Sequence, residues 1–224
     1  MSTILGVIAM KKSLSLFLLF ALCISLFGCG TQTVSAPREE SLTITDYGVS
    51  QLPIGSSDGY SYVNKRFNVG MTPFDGWVME SWIQSPPASL EKCTLDTLIA
   101  GENAVALASA RSDNGEALSL QLQVMTNAVA DAIAADESAV LAQVGNQMAE
   151  QCRKDGAIDP VYSIFQTHIC GEDYNGVRID ATKLGQPYHK VRFLFRSGLS
   201  CLTATYDWFS DDPWRDPAKL FYSL

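Results

Sequence analysis

The sequence predicts an α+β fold, a mostly antiparallel β-sheet packed with helices, and three observations predict it. A central stretch alternates apolar and polar residues on either side of an Asn-Gly pair. A later stretch repeats apolar residues at helical spacing. The last third divides into β-rich runs separated by tight-turn residues. With 224 residues, 47% hydrophobic and 18% charged, the chain has the composition of a folded globular protein rather than a disordered one.

In chain order, the first feature is a leader. Lys11-Lys12 precedes an uncharged, mostly apolar run from Ser13 to Gly30. A basic start, a short apolar run and a small-residue end make the order of a secretory signal peptide. The run lies at the lower limit for a spanning helix. Leu26-Phe27-Gly28-Cys29 resembles a bacterial lipobox, in which a small residue precedes an invariant cysteine, although Phe27 is larger than is usual in its slot. The resemblance implies diacylglyceryl transfer to the Cys29 thiol, cleavage after Gly28 and acylation of the new amino terminus. It places the protein on the extracytoplasmic side of the cell membrane, lipid-anchored at Cys29. The competing reading is a buried apolar helix with an incidental cysteine. Two or more acyl chains hold a protein stably where one does not. Met10-Lys11-Lys12 is a more natural start than Met1, because signal peptides rarely open with nine mostly apolar residues.

Residues 1–28 are thus expected as signal peptide, 29–58 as a flexible tether and 59–224 as one α+β domain. Removing the leader leaves about 195 residues, enough for one core. The full chain carries a formal charge of −8; the mature part has 14 basic and 24 acidic residues, a net −10. An acidic surface argues against nucleic acid as a partner and against docking on anionic lipid head groups. The tether is rich in Thr, Ser, Gly and Pro, with a short strand expected near 41–45. A flexible chain of that length spans on the order of 30 Å.

Within the domain, Tyr60 to Met71 alternates loosely and leads into Thr72-Pro73-Phe74-Asp75-Gly76-Trp77. Asp-Gly after Pro signals a turn, so one or two strands close near Trp77 to Trp82. Pro86-Pro87 breaks the chain, and Leu90 to Ile99 reads as a short helix capped by Ser89. Val105 to Ser109 and Leu118 to Val124 flank Asp113-Asn114-Gly115, a hairpin signal. Its Leu face is expected in the core and its Gln and Ser face in solvent. Ser138 to Asp155 is a helix with Val140, Leu141, Val144, Met148 and Cys152 on one face and Gly156 as its stop. The Ala-rich residues 128–136 extend it backwards. Val161 to Ile169, Val177 to Ala181, Tyr188 to Arg196 and Leu199 to Trp208 form an antiparallel meander, with Asn175-Gly176 leading into the second run. A last short helix runs from Trp214 to Tyr222.

The strand ending in Pro-Phe-Asp-Gly-Trp, the early helix, the central hairpin, the amphipathic helix and the meander containing Tyr-Asn-Gly-Val are together similar to the PsbP-like α/β/α sandwich. The resemblance covers residues 59–224 and rests on structural motifs. It implies a non-enzymatic accessory or binding protein and carries over no catalytic residue.

The chain contains no Gly-x-Ser-x-Gly, His-Glu-x-x-His, phosphate-binding loop or dinucleotide fingerprint. Its two histidines, His168 and His189, could join Cys170 and Cys201 in a zinc site, but the usual ligand spacing is absent, and ordinary strand residues are favoured. Cys170 or Cys201 with His189 is an imaginable nucleophile pair without a sign of an activated thiol. Glu172-Asp173 and Asp211-Asp212 could serve as acid and base, but solvated carboxylates at turns are the plainer reading. Four cysteines beyond the leader and Cys29 (93, 152, 170 and 201) allow two disulfides in three connectivities. Cys170–Cys201 is the favoured pair, because both belong to the late sheet, and Cys152 reads equally as a buried thiol. Trp208 and Trp214 flank Asp211-Asp212-Pro213, an aromatic and acidic corner suited to a cationic or peptide partner.

The sequence therefore points to a membrane-anchored envelope lipoprotein acting as a binding or accessory module, with no cofactor and no metal, partnered by the membrane and by an envelope protein. The rivals are an envelope hydrolase without a recognisable motif and a small-ligand-binding lipoprotein.

Overall fold

The computed structural model describes residues 40–44, 49–81, 90–212 and 215–224. Cys29, the leader, Trp82, Ser89 and Trp214 lie outside them. Thirteen strands and three α-helices make up the described fold: β1 Glu40–Ile44, β2 Val49–Ser57, β3 Tyr62–Asn64, β4 Val69–Met71, β5 Val78–Ser81, β6 Lys92–Cys93, α1 Leu95–Ala100, β7 Val105–Arg111, β8 Ala117–Met125, α2 Asn127–Ala135, α3 Glu137–Lys154, β9 Ile158–Ile169, β10 Glu172–Lys183, β11 Gln186–Ser197, β12 Ser200–Phe209 and β13 Phe221–Tyr222. A 3-10 turn at Pro217–Leu220 precedes β13.

The α+β class holds. The larger sheet runs β5-β7-β8-β12-β11-β10-β9, antiparallel throughout, while β6 pairs in parallel with the end of β8. After β8 the chain crosses through α2 and α3 to the far edge at β9. It then meanders back until β12 pairs with β8, Leu202 opposite Leu122. The strand period sends alternate residues to opposite faces. Leu118, Leu120, Leu122, Val124, Leu202, Ala204, Tyr206 and Trp208 enter one core cluster. Cys201, Val177, Ile179 and Tyr188 enter the other, with the helices.

The helices cover one face only. α3 buries Val140, Leu141, Val144, Met148 and Cys152, the face its periodicity marked, and it lies over β9 and β10. The second helical layer of an α/β/α sandwich is not what covers the other face. A five-stranded sheet, β1-β2-β3-β4-β13, contributes Ile54, Tyr62, Val69, Met71 and Phe221 to that core. Within residues 29–58, expected as a tether, the described residues form β1 and β2, and Ile54 is fully buried.

Other boundaries moved for local reasons. Asp136 ends α2 and, with an extended φ of −154°, caps α3 by accepting from the Ala139 N–H at 2.9 Å, so the Ala-rich segment is a separate helix. Thr94 caps α1, which starts only after β6. The last helix is reduced to the 3-10 turn, because Phe221 pairs with Met71 in the small sheet. The hairpin turn before β10 is Cys170-Gly171, both at positive φ (56° and 86°), as a two-residue mirror turn requires. Asn175-Gly176 instead lies inside β10. There the Phe165 ring lies over Gly176, and an added Cβ would meet that ring at 2.7 Å.

Candidate binding cleft

Between the helices and the large sheet lies a cavity of about 470 Å3, also lined by Phe67, Cys170 and Phe193 of the opposite core. Leu98 and Ile99 of α1, Ile133 of α2, and Val140, Leu141 and Val144 of α3 form its apolar walls. Arg192, Leu194 and Arg196 of β11 and Thr203 of β12 supply its floor. A second cavity of about 420 Å3 opens on the other side of the α1 terminus, lined by Ala100, Met148, Cys152 and Lys190. Ile99 and Arg192 border both.

The geometry follows from how the helices sit. α3 packs over the β9–β10 edge of the sheet, so the helix-side face of β8, β11 and β12 is only partly covered. That face carries Gln121, Gln123, Thr203 and Thr205 beside Lys190, Arg192 and Arg196. The polar side of the central hairpin is accordingly not all in solvent. Gln123 is 1% exposed and donates from Nε2 to the Glu102 carbonyl at 2.9 Å, which ties the end of α1 to the sheet.

Arg192 stands at the centre. It is half-buried where the two cavities meet, and burial pulls its pKa below the usual arginine range. Nε donates to Thr205 Oγ1 at 3.2 Å, across the Arg192–Thr205 strand pair, and Nη1 donates to the Ile99 carbonyl at 3.3 Å. Both acceptors are neutral, and among the described residues no carboxylate pairs with it. At the mouth, Glu137 Oε2 accepts from Asn175 Nδ2 at 2.7 Å, which fixes the first turn of α3 to β10. The thiols at the edges are held protonated. Burial pushes Cys170 up, and pushes Cys152 up against the opposing charge of Lys190.

The residues singled out from sequence are dispersed. His168 and Cys201 belong to the helix-side face, whereas Cys170 packs into the opposite core and His189 lies on that opposite face, so the four do not converge on a metal. Among the described residues no group of three or more His, Cys, Asp or Glu is placed to hold one. The Cys170–Cys201 disulfide is corrected. All four described cysteines are free thiols, the two belong to opposite faces, and β10 and β11 separate their positions; a bridge needs Cα atoms within about 7 Å. Cys201 is buried, and burial lifts its thiol to about 12, far from an activated nucleophile. His168 Nδ1 meets Asp173 Oδ1 at 2.8 Å in an exposed pair at the hairpin tip. Glu172 and Asp173 both border the cleft mouth.

The Trp208 part of the aromatic and acidic corner is also corrected, while Trp214 lies outside the described residues. Trp208 is fully buried, stacked on Tyr206 at 4.9 Å and tilted against His189 at 5.2 Å. Its Nε1 donates to the Asp212 carbonyl at 3.4 Å. Asp211 and Asp212 are exposed, but Trp208 gives them no surface aromatic. His189 Nδ1 meets Asp180 Oδ1 at 2.6 Å and Nε2 meets the Ser210 carbonyl at 3.1 Å, so this histidine is a structural link.

Sequence reasoning passed over Arg192. Its alternation with Val191 and Phe193 reads as the solvated side of a strand, and only the placement of α1 and α3 encloses it. No protein-family model matches the chain, and no curated protein is recognisably similar to it.

Proposed function

We propose that the protein is a lipid-anchored binding module of the cell envelope whose ligand site is the cleft between α3 and the large sheet. The observation that carries the binding role is Arg192, a half-buried guanidinium with only neutral hydrogen-bond acceptors, at the floor of a chamber with apolar helix walls and a polar mouth that includes Glu137, Glu172 and Asp173. Small-molecule sites combine this size, mostly apolar walls and a few placed polar groups. Binding fits the chamber better than catalysis, because the thiols beside it are held protonated by burial.

The anchor enters through the leader. Lys11-Lys12, the apolar run and Leu26-Phe27-Gly28-Cys29 resemble a lipoprotein signal, and acyl chains on Cys29 would hold the domain at the outer side of the cell membrane. Among the described residues no helix is long and apolar enough to cross a membrane; in this reading the acylated cysteine does the anchoring. The PsbP-like resemblance belongs to the same proposal. The meander and the amphipathic helix support it, and the small sheet on the second face departs from it.

Native mass spectrometry of the protein recovered from its own membranes tests the reading. The expected spectrum shows a small-molecule adduct on the wild type and a bare Leu141→Trp variant, whose indole fills the chamber. A wild type that arrives bare counts against a small-molecule site.

A further inference from the structure

We infer that Arg192 anchors the carboxylate of a small aliphatic acid whose apolar body lies along Leu98, Leu141 and Val144. This rests on the cleft being the ligand site and names the chemistry of what enters it.

A guanidinium has five N–H groups, and Arg192 commits one from Nε and one from Nη1. The remaining three, two on Nη2 and one on Nη1, are the set that makes a two-pronged contact with a carboxylate. A buried cation without an anion is costly to the fold, and Thr205 and the Ile99 carbonyl offset that cost only with neutral dipoles. An entering anion offsets it with charge. The Nη1 contact also ties down the last turn of α1, which is a structural duty, but that duty uses one donor and leaves the prongs over.

Arg196 lines the same cavity four residues along β11, roughly 13 Å away along the backbone at the rise of a strand, and Lys190 borders the adjoining cavity beside Arg192. The cavity also carries Glu137, Glu172 and Asp173, and a single negative charge on the head keeps its repulsion from those carboxylates smallest. The walls decide the body. Leu98, Leu141 and Val144 offer no partner to the N–H and C=O groups of a peptide, which are expensive to bury unpaired, whereas they suit a hydrocarbon.

The test uses the full lipidated chain in nanodiscs, titrated with carboxyl-13C decanoate and with 1-decanol, with empty nanodiscs as the blank. Decanoate is expected to bind at least about tenfold more tightly than decanol, with its carboxyl resonance shifted. Arg192→Met is expected to weaken decanoate roughly 10- to 100-fold and leave decanol unchanged. Equal binding of the two probes, or an unaffected Arg192→Met, overturns the inference. Should Arg192→Met fail to fold, Arg192→Lys keeps the charge and loses the prongs. Its decanoate affinity is expected to fall about tenfold, and an unchanged affinity also overturns the inference. Leu141→Trp separates the two claims. If it abolishes binding of both probes while the Arg192 variants do nothing, the head assignment fails and the cleft stands. If both probes bind it as they bind the wild type, the cleft itself fails as the site.

Discussion

Trp208 lies with Tyr206 on one side and His189 on the other, without solvent exposure. Its truncation therefore opens a hole in the core. Trp208→Ala is expected to lower stability by about 3–5 kcal/mol in urea unfolding, whereas a surface tryptophan would change it by no more than about 0.5 kcal/mol. The sequence did carry this signal. Trp208 shares strand parity with Leu202, Ala204 and Tyr206, and that parity outweighs its proximity in sequence to Asp211 and Asp212. Asp207, one residue earlier, has the opposite parity and lies opposite Lys190. Burial raises its pKa against the opposing effects of Lys190 and the Tyr188 hydroxyl. A carboxyl whose folded pKa is raised gives its full contribution to stability below its unfolded pKa, about 3.9, and loses it as pH rises through the folded value. Asp207→Asn should therefore raise the melting temperature at pH 7 and shrink the difference between pH 4 and pH 7. A lower melting temperature at pH 7 would show that the charge is favourable where it lies.

At the scale of elements, α3 owes its seat to Gly145. A Cβ there would meet the Tyr162 ring of β9 at 2.4 Å. Alanine is the better helix former by roughly 1 kcal/mol, yet Gly145→Ala is expected to destabilise, because overpacking costs about 1–3 kcal/mol. A rise in the unfolding midpoint would mean that helix and strand yield easily. The amphipathic helix, the central hairpin and the four-strand meander were legible because each is encoded by local periodicity and turn residues. Asn175-Gly176 misled because glycine serves two purposes. Here it makes room for Phe165, while Cys170-Gly171 makes the turn without a usual turn pair. The small sheet was hidden for a different reason. Its strands β3, β4 and β13 are only two or three residues long, and β13 reaches β4 from the other end of the chain, a pairing that no local pattern announces.

For the molecule as a whole, an acidic chain keeps three basic side chains, Lys190, Arg192 and Arg196, along one side of β11 under a partial helical roof. That contrast was not readable from composition, since the sequence shows the strand but not what covers it. In the proposed reading, the anchor at Cys29 acts independently of the cleft. Cys29→Ala is expected to move the protein from the membrane to the soluble fraction with its unfolding midpoint unchanged. Persistent membrane association of the variant would refute lipid attachment at that cysteine. The cleft is the central claim, and hydrogen-exchange mass spectrometry of the full chain with and without decanoate tests it most directly. The account predicts slowed exchange in residues 95–100, 140–148 and 190–196, with residues 207–212 unchanged. Protection confined to residues 207–212, or none in the three cleft segments, would contradict it.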